Sequence, residues 1–80
     1  MKARALLARI RTKRQNVRFS DFVALIEALG FTFDRQRGSH RAYRHPCGAV
    51  LNIQESGGEA KSYQVVQLLQ AVDAYGLTLK

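Results

Sequence analysis

Residues 31–54 read FTFDRQRGSHRAYRHPCGAVLNIQ, and the fold turns on how this stretch is divided. Phe31 to Arg37 alternates as a strand requires, with Phe31, Phe33 and Arg35 on one side and Thr32, Asp34 and Gln36 on the other. Gly38-Ser39 is a turn signal, after which His40 to His45 resumes an extended pattern. Pro46-Cys47-Gly48 marks a second turn, because proline cannot donate to a ladder and glycine tolerates positive φ. Ala49 to Gln54 alternates again, with Leu51 and Ile53 apolar against Asn52 and Gln54. Turns this short predict a three-stranded antiparallel meander.

On either side of the meander the period changes from two to 3.6. Upstream, Phe22, Leu25, Ile26 and Leu29 recur at i, i+3, i+4 and i+7; Ser20-Asp21 offers a capping start and Gly30 a stop. Downstream, the polar loop 55–59 leads into a helix over 62–75, with Val65, Leu68, Leu69 and Val72 as its apolar stripe and Gly76 as its end. Two amphipathic helices each need a surface to cover, which places both on one face of the sheet and leaves the other open. The expected class is α+β, in the order α-β-β-β-α. Phe31 and Phe33 are expected in the core.

Residues 1–17 form a basic segment ahead of a compact domain over 18–80. Leu6, Leu7 and Ile10 stand at helical spacing among cations, so this segment reads as a basic helix or a partly disordered arm. Gln15-Asn16-Val17 is the break before the domain. Of the net charge of +7, residues 1–18 contribute +7, residues 19–49 contribute +1 and residues 50–80 contribute −1. Nine of the thirteen cations are arginine, suited to bidentate phosphate contact and to stacking on bases. A polyanionic partner is favoured by such an excess, through counterion release. No apolar run approaches the ~18–20 residues of a membrane span, and arginines interrupt the only apolar stretch near the N-terminus. Cys47 is alone, which excludes a disulfide framework and a cysteine metal cluster. A cytoplasmic protein is the simplest expectation.

His40 follows the Gly38-Ser39 turn with Arg37, Arg41 and Arg44 close in sequence. Like charge disfavours a cationic imidazole there, which predicts a neutral ring able to accept a proton. RNA carries its own nucleophile, the 2′-hydroxyl; a base to take its proton and donors for the charge on phosphate suffice for cleavage. The plain alternative is a surface strand histidine with no role. His45, five residues on, points the opposite way on a regular strand and fits a turn-capping role better than a second acid–base role. A zinc site from His40, His45 and Cys47 fails on the same geometry and lacks a fourth ligand. Lys61, just before the second helix, stands where free backbone N–H groups favour an anion.

The string Gly38-Ser39-His40-Arg41-Ala42-Tyr43-Arg44-His45-Pro46 resembles the signature of the HicA family, toxins of HicA–HicB toxin–antitoxin pairs. The resemblance runs over about residues 18–77, through Leu29-Gly30-Phe31, Leu51-Asn52-Ile53-Gln54 and Gly58-Glu59-Ala60-Lys61-Ser62-Tyr63-Gln64-Val65. It implies a fold like the double-stranded RNA-binding domain and a metal-independent, cofactor-free endoribonuclease acting on mRNA. His40 would be its catalytic base, and a HicB-type antitoxin its partner. Arg35, Arg37, Ser39, Arg41, Arg44 and Lys61 are then the expected RNA contacts, with the basic surface around the four arginines also meeting the antitoxin. Ser62 departs from the proline of many relatives, and the basic stretch 1–18 is longer than in short members. The rival readings are a non-catalytic RNA-binding module and a protein-binding adaptor.

Overall fold

A computed structural model describes residues 2–80. Its elements are α1 (Ala3–Ile10), β1 (Val17–Arg18), α2 (Phe19–Ala28), β2 (Thr32–Arg37), β3 (His40–Arg44), β4 (Val50–Ser56), β5 (Glu59–Ala60) and α3 (Ser62–Tyr75). The expected meander, β2–β3–β4, is present. Two short strands extend it to a five-stranded antiparallel sheet in the order β1-β5-β4-β3-β2. β5 folds back on β4 through Gly57-Gly58, both at positive φ, and β1 pairs with it through Val17–Ala60 and Arg18–Glu59. Two residues are too few to show a periodicity, so neither strand is visible in the pattern.

One apolar cluster joins the helices to one face of the sheet. It holds Leu6 and Ile10 of α1, Phe22, Leu25 and Ile26 of α2, and Val65, Leu68, Leu69 and Val72 of α3. Tyr43, Leu51 and Ile53 face it from β3 and β4. Of the two readings of the N-terminal segment, the structure has the helix. Its two buried side chains lie in this same cluster, and Asn16 (φ 59°) turns the chain into β1. Arg9 steadies that turn by donating to the carbonyls of Gln15 (3.4 Å) and Asn16 (3.2 Å).

The ends of α2 and α3 differ in how they are made. α2 starts at Phe19 with Arg18 as its N-cap and no side-chain cap bond, so Ser20 lies in the first turn and is not the cap. α3 stops at Gly76, which takes the left-handed conformation (φ 62°, ψ 41°) that a side chain disfavours. Beyond it, the Leu77 N–H donates to the Val72 carbonyl at 3.0 Å.

β2 departs from simple alternation. Its register with β3 pairs Phe33 with Tyr43 but Arg35 with Ala42, so a bulge at Asp34 separates Phe33 from Arg35. The two therefore point to opposite faces, where regular alternation puts them together. Phe33 faces the helix side, yet β2 is an edge strand outside the cover of the helices. Phe33 is 53% exposed and meets Tyr43 edge-on at 5.8 Å, so it is not the core residue expected, whereas Phe31 is 2% exposed and is one.

Candidate RNA-binding and catalytic cleft

Three rungs of the open sheet face make the site. The first is Arg37–His40–Gln54, the second Arg35–Ala42–Asn52, and the third Thr32–Arg44–Val50. Neighbours within a rung are about 4.8 Å apart, and rungs on the same face ~6.7 Å apart. Arg35, Arg37, His40, Ala42 and Asn52 line a shallow cleft of about 290 Å³. Ala42 is its floor, since a methyl group between Arg35 and Asn52 leaves room that any longer side chain would fill. The bulge at Asp34 matters here: it lets Phe33 stay on the helix side while Arg35 and Arg37 share a face with His40.

His40 is exposed, and among the described residues no group hydrogen-bonds its ring. Both ring nitrogens are open to a ligand in the cleft. The backbone around it is fixed. Gly38 (φ 60°) takes the first position of the two-residue turn, and the Gln36 side chain donates to its carbonyl at 2.9 Å. Gln54 Nε2 donates to Ser39 Oγ at 3.1 Å, tying the turn to β4. Because β5 begins its pairing only at Glu55, the outer edge of Gln54 lacks a strand partner there. Gln64 of α3, 2% exposed, supplies one: its carboxamide oxygen accepts from the Gln54 N–H (3.1 Å) and its nitrogen donates to the Gln54 carbonyl (3.3 Å). The core helix thus holds the strand that flanks His40.

The remaining expected contacts divide. Arg44 lies on the cleft face, where Asp34 engages its Nε at 3.2 Å. Arg41 does not join the surface expected of it: paired with Gln36 and Ile53, it points to the helix side. There its guanidinium sits 5.3 Å from the centre of the Phe19 ring, in a second hollow with Arg18, Ser20 and Glu55. Lys61 is the N-cap of α3 and lies 6.0 Å from the Tyr63 ring centre. Tyr43 is buried and offers no platform to a base.

His45 is structural, as its place before the turn predicts. A backbone N–H can only donate and a carbonyl can only accept, so its partners fix the tautomer. Nδ1 accepts from the Cys47 N–H (3.0 Å), and Nε2–H donates to the Leu29 carbonyl (3.0 Å). The ring also meets Phe31 edge-on at 5.1 Å. Both nitrogens are thereby engaged, and the ring joins the β3–β4 turn to the end of α2. Sequence reasoning missed Gln64 and Gln54; a lone glutamine inside an apolar helical stripe was the available signal. Among the described residues, no three His, Cys, Asp or Glu side chains are grouped to hold a metal ion. No helix of the described residues is long and apolar enough to cross a membrane.

Comparison with known proteins adds one finding. Residues 19–73, from the first residue of α2 to near the end of α3, match the family described as the HicA toxin of bacterial toxin-antitoxin systems. No curated protein and no solved structure matches the chain.

Proposed function

The chain belongs to the HicA toxin family, and from that premise we propose that this toxin is a metal-independent endoribonuclease that cleaves mRNA in the cytoplasm with His40 as general base. The observation that carries the proposal is the cleft itself: an unpartnered imidazole beside Arg37 and Arg35 over an alanine floor. RNA binds with a phosphate against Arg35 and Arg37, which donate to its non-bridging oxygens. His40 removes the proton of the neighbouring 2′-hydroxyl. The 2′-oxygen attacks phosphorus, the P–O5′ bond breaks, and the leaving 5′-oxygen takes a proton from the imidazolium or from water. The products are a cyclic phosphate and a 5′-hydroxyl, so no metal-bound hydroxide is needed. The arginines stabilise the charge that grows on phosphate in the transition state.

The unit that performs this is the domain over 18–80, with Ser39 and Arg44 at the rim of the RNA path and Lys61 beyond Gln54. A HicB-type antitoxin restrains the enzyme by placing acidic groups against Arg35 and Arg37, which hides His40 with them. Arg41, on the other face, lies outside that contact.

The test is cleavage of RNA by purified protein in chelator, beside His40→Ala. Loss of a general base lowers the rate ~10²–10⁴-fold. A mutant that cleaves like wild type, or a substrate whose 2′-deoxy nucleotide at the cut site is still cleaved, removes the mechanism. RNA binding without any histidine-dependent cleavage would leave only the RNA-binding module.

A further inference from the structure

The cations of residues 2–18 are not explained by the cleft. α1 packs on the helix layer, and Arg11 reaches Asp73 of α3 with two bonds (3.0 and 3.4 Å), so the segment is fastened to the side away from His40. α1 joins the cluster on the sheet face that carries Tyr43, Leu51 and Ile53, whereas Arg35, Arg37 and His40 lie on the other face, so these charges do not touch the phosphate held in the cleft. Arg9 and Arg11 have structural partners. Lys2, Arg4, Lys13, Arg14 and Arg18 are exposed and, among the described residues, pair with no acid.

The surroundings of these charges select among polyanions. A helix that lies in a lipid surface inserts large apolar side chains. α1 turns Leu6 and Ile10 inward, and the exposed large hydrophobics of the described residues, Phe33, Val50, Tyr63 and Tyr75, are all elsewhere. A protein interface has an apolar centre, which this face of α1 also lacks. Arg14 borders a hollow with the half-buried Val66 and the buried Leu69, but no large apolar side chain stands exposed on this face. Unpaired cations on such a face match a phosphate backbone, which asks for charge and little else.

We infer that the face formed by α1 and residues 11–14 is a second, sequence-independent RNA-backbone site on the side opposite the cleft. The inference rests on the proposal that RNA is the substrate. One RNA strand reaches both sites only by passing around the edge of the sheet. Long RNA is therefore held at two places and short RNA at one. The second site adds affinity for long molecules without contributing to the chemical step.

The test measures binding of the full chain to non-cleavable 2′-O-methyl RNA of roughly 6 and roughly 30 nucleotides across a salt series. Wild type is compared with Lys2→Gln/Arg4→Gln/Lys13→Gln/Arg14→Gln. On the long RNA, the slope of log affinity against log salt should fall by up to about 3, near 0.7 per lost contact, with affinity at low salt down at least tenfold. Binding of the short RNA, and cleavage of a short substrate, should not change. Equal slopes on the long RNA overturn the inference, as does wild-type binding to phosphatidylglycerol vesicles without any gain from RNA length. If the four-fold variant fails to fold, Lys13→Gln/Arg14→Gln should lose about half the slope change, and an unchanged slope there overturns the inference equally. Because the readout is binding, it stands apart from the ribonuclease proposal: wild type that never cleaves RNA but shows the slope change refutes the mechanism and keeps this site.

Discussion

Gly30→Ala is expected to destabilise the protein by about 3 kcal/mol. Gly30 has φ +102°, beyond the left-handed well that other residues tolerate, and holding alanine there costs ~1–3 kcal/mol. A Cβ at this position would lie 2.8 Å from His45 Nε2, 3.2 Å from His45 Cδ2 and 2.9 Å from Lys80 Cε. The lysine tip can swing away at little cost. The imidazole cannot, because each nitrogen is tied, one to Leu29 and one to Cys47. Displacing it forfeits hydrogen bonds worth roughly 1 kcal/mol each. For a domain of this size each kcal/mol moves Tm by ~4–8 °C, so thermal melting followed by circular dichroism should show a fall of roughly 12–24 °C. A second measurement separates the two causes. In a His45→Ala background only the backbone term remains, and Gly30→Ala should cost ~1–2 kcal/mol less than in wild type. Equal costs in the two backgrounds would refute the steric account, and a fall in Tm below about 4 °C would refute both terms.

Three other outcomes follow from the placement of side chains. Ala42→Leu fills the floor of the cleft and should lower kcat/KM for RNA at least tenfold, while an exposed-face change of this kind shifts stability by no more than ~0.5 kcal/mol. Arg37→Glu should weaken binding of both RNA and antitoxin, whereas Arg41→Glu should leave both nearly unchanged and cost about 0.5–1 kcal/mol of stability through its contact with Phe19, read from paired binding and melting curves. The Arg11–Asp73 pair is 46% and 64% exposed, so a double-mutant cycle should return a coupling below ~1 kcal/mol that shrinks with added salt.

Much of the architecture is legible because it rests on local patterns. The stripes of α2 and α3 occupy the positions their spacing predicts, since burying a helix face leaves a 3.6-residue trace. The two turns of the meander are equally local, as Gly38 and the Pro46–Gly48 run carry their own backbone preferences. The site is less legible, because it depends on pairing between strands. That Arg41 opposes His40 follows from alternation alone, yet its closeness in sequence suggests a shared surface. That Phe33 parts from Arg35 cannot be read this way, because the bulge at Asp34 is defined only by where β3 lies. Gln64 acquires its task from the shortness of β5, a long-range fact that a helix written out alone does not contain. The exposure of Phe33 likewise follows from how far the helices reach across the sheet.

The bulge gives β2 two independent phases. Residues up to Phe33 are timed from the helix layer, and residues from Arg35 onward are timed from the Gly38-Ser39 turn; Asp34 absorbs the mismatch between them. A change in chain length is therefore silent or damaging according to where it falls. Removing Asp34 would leave Phe33 and Arg35 on the faces they now occupy and would cost the acid that pairs with Arg44 (3.2 Å) and, more loosely, with Arg35 (3.8 Å). Removing Gln36 would rotate Arg35 to the far side of the sheet and empty half the cleft of charge. Length variation along this lineage should accordingly collect at the joint beside Phe33, while the count of residues from Arg35 to the turn stays fixed.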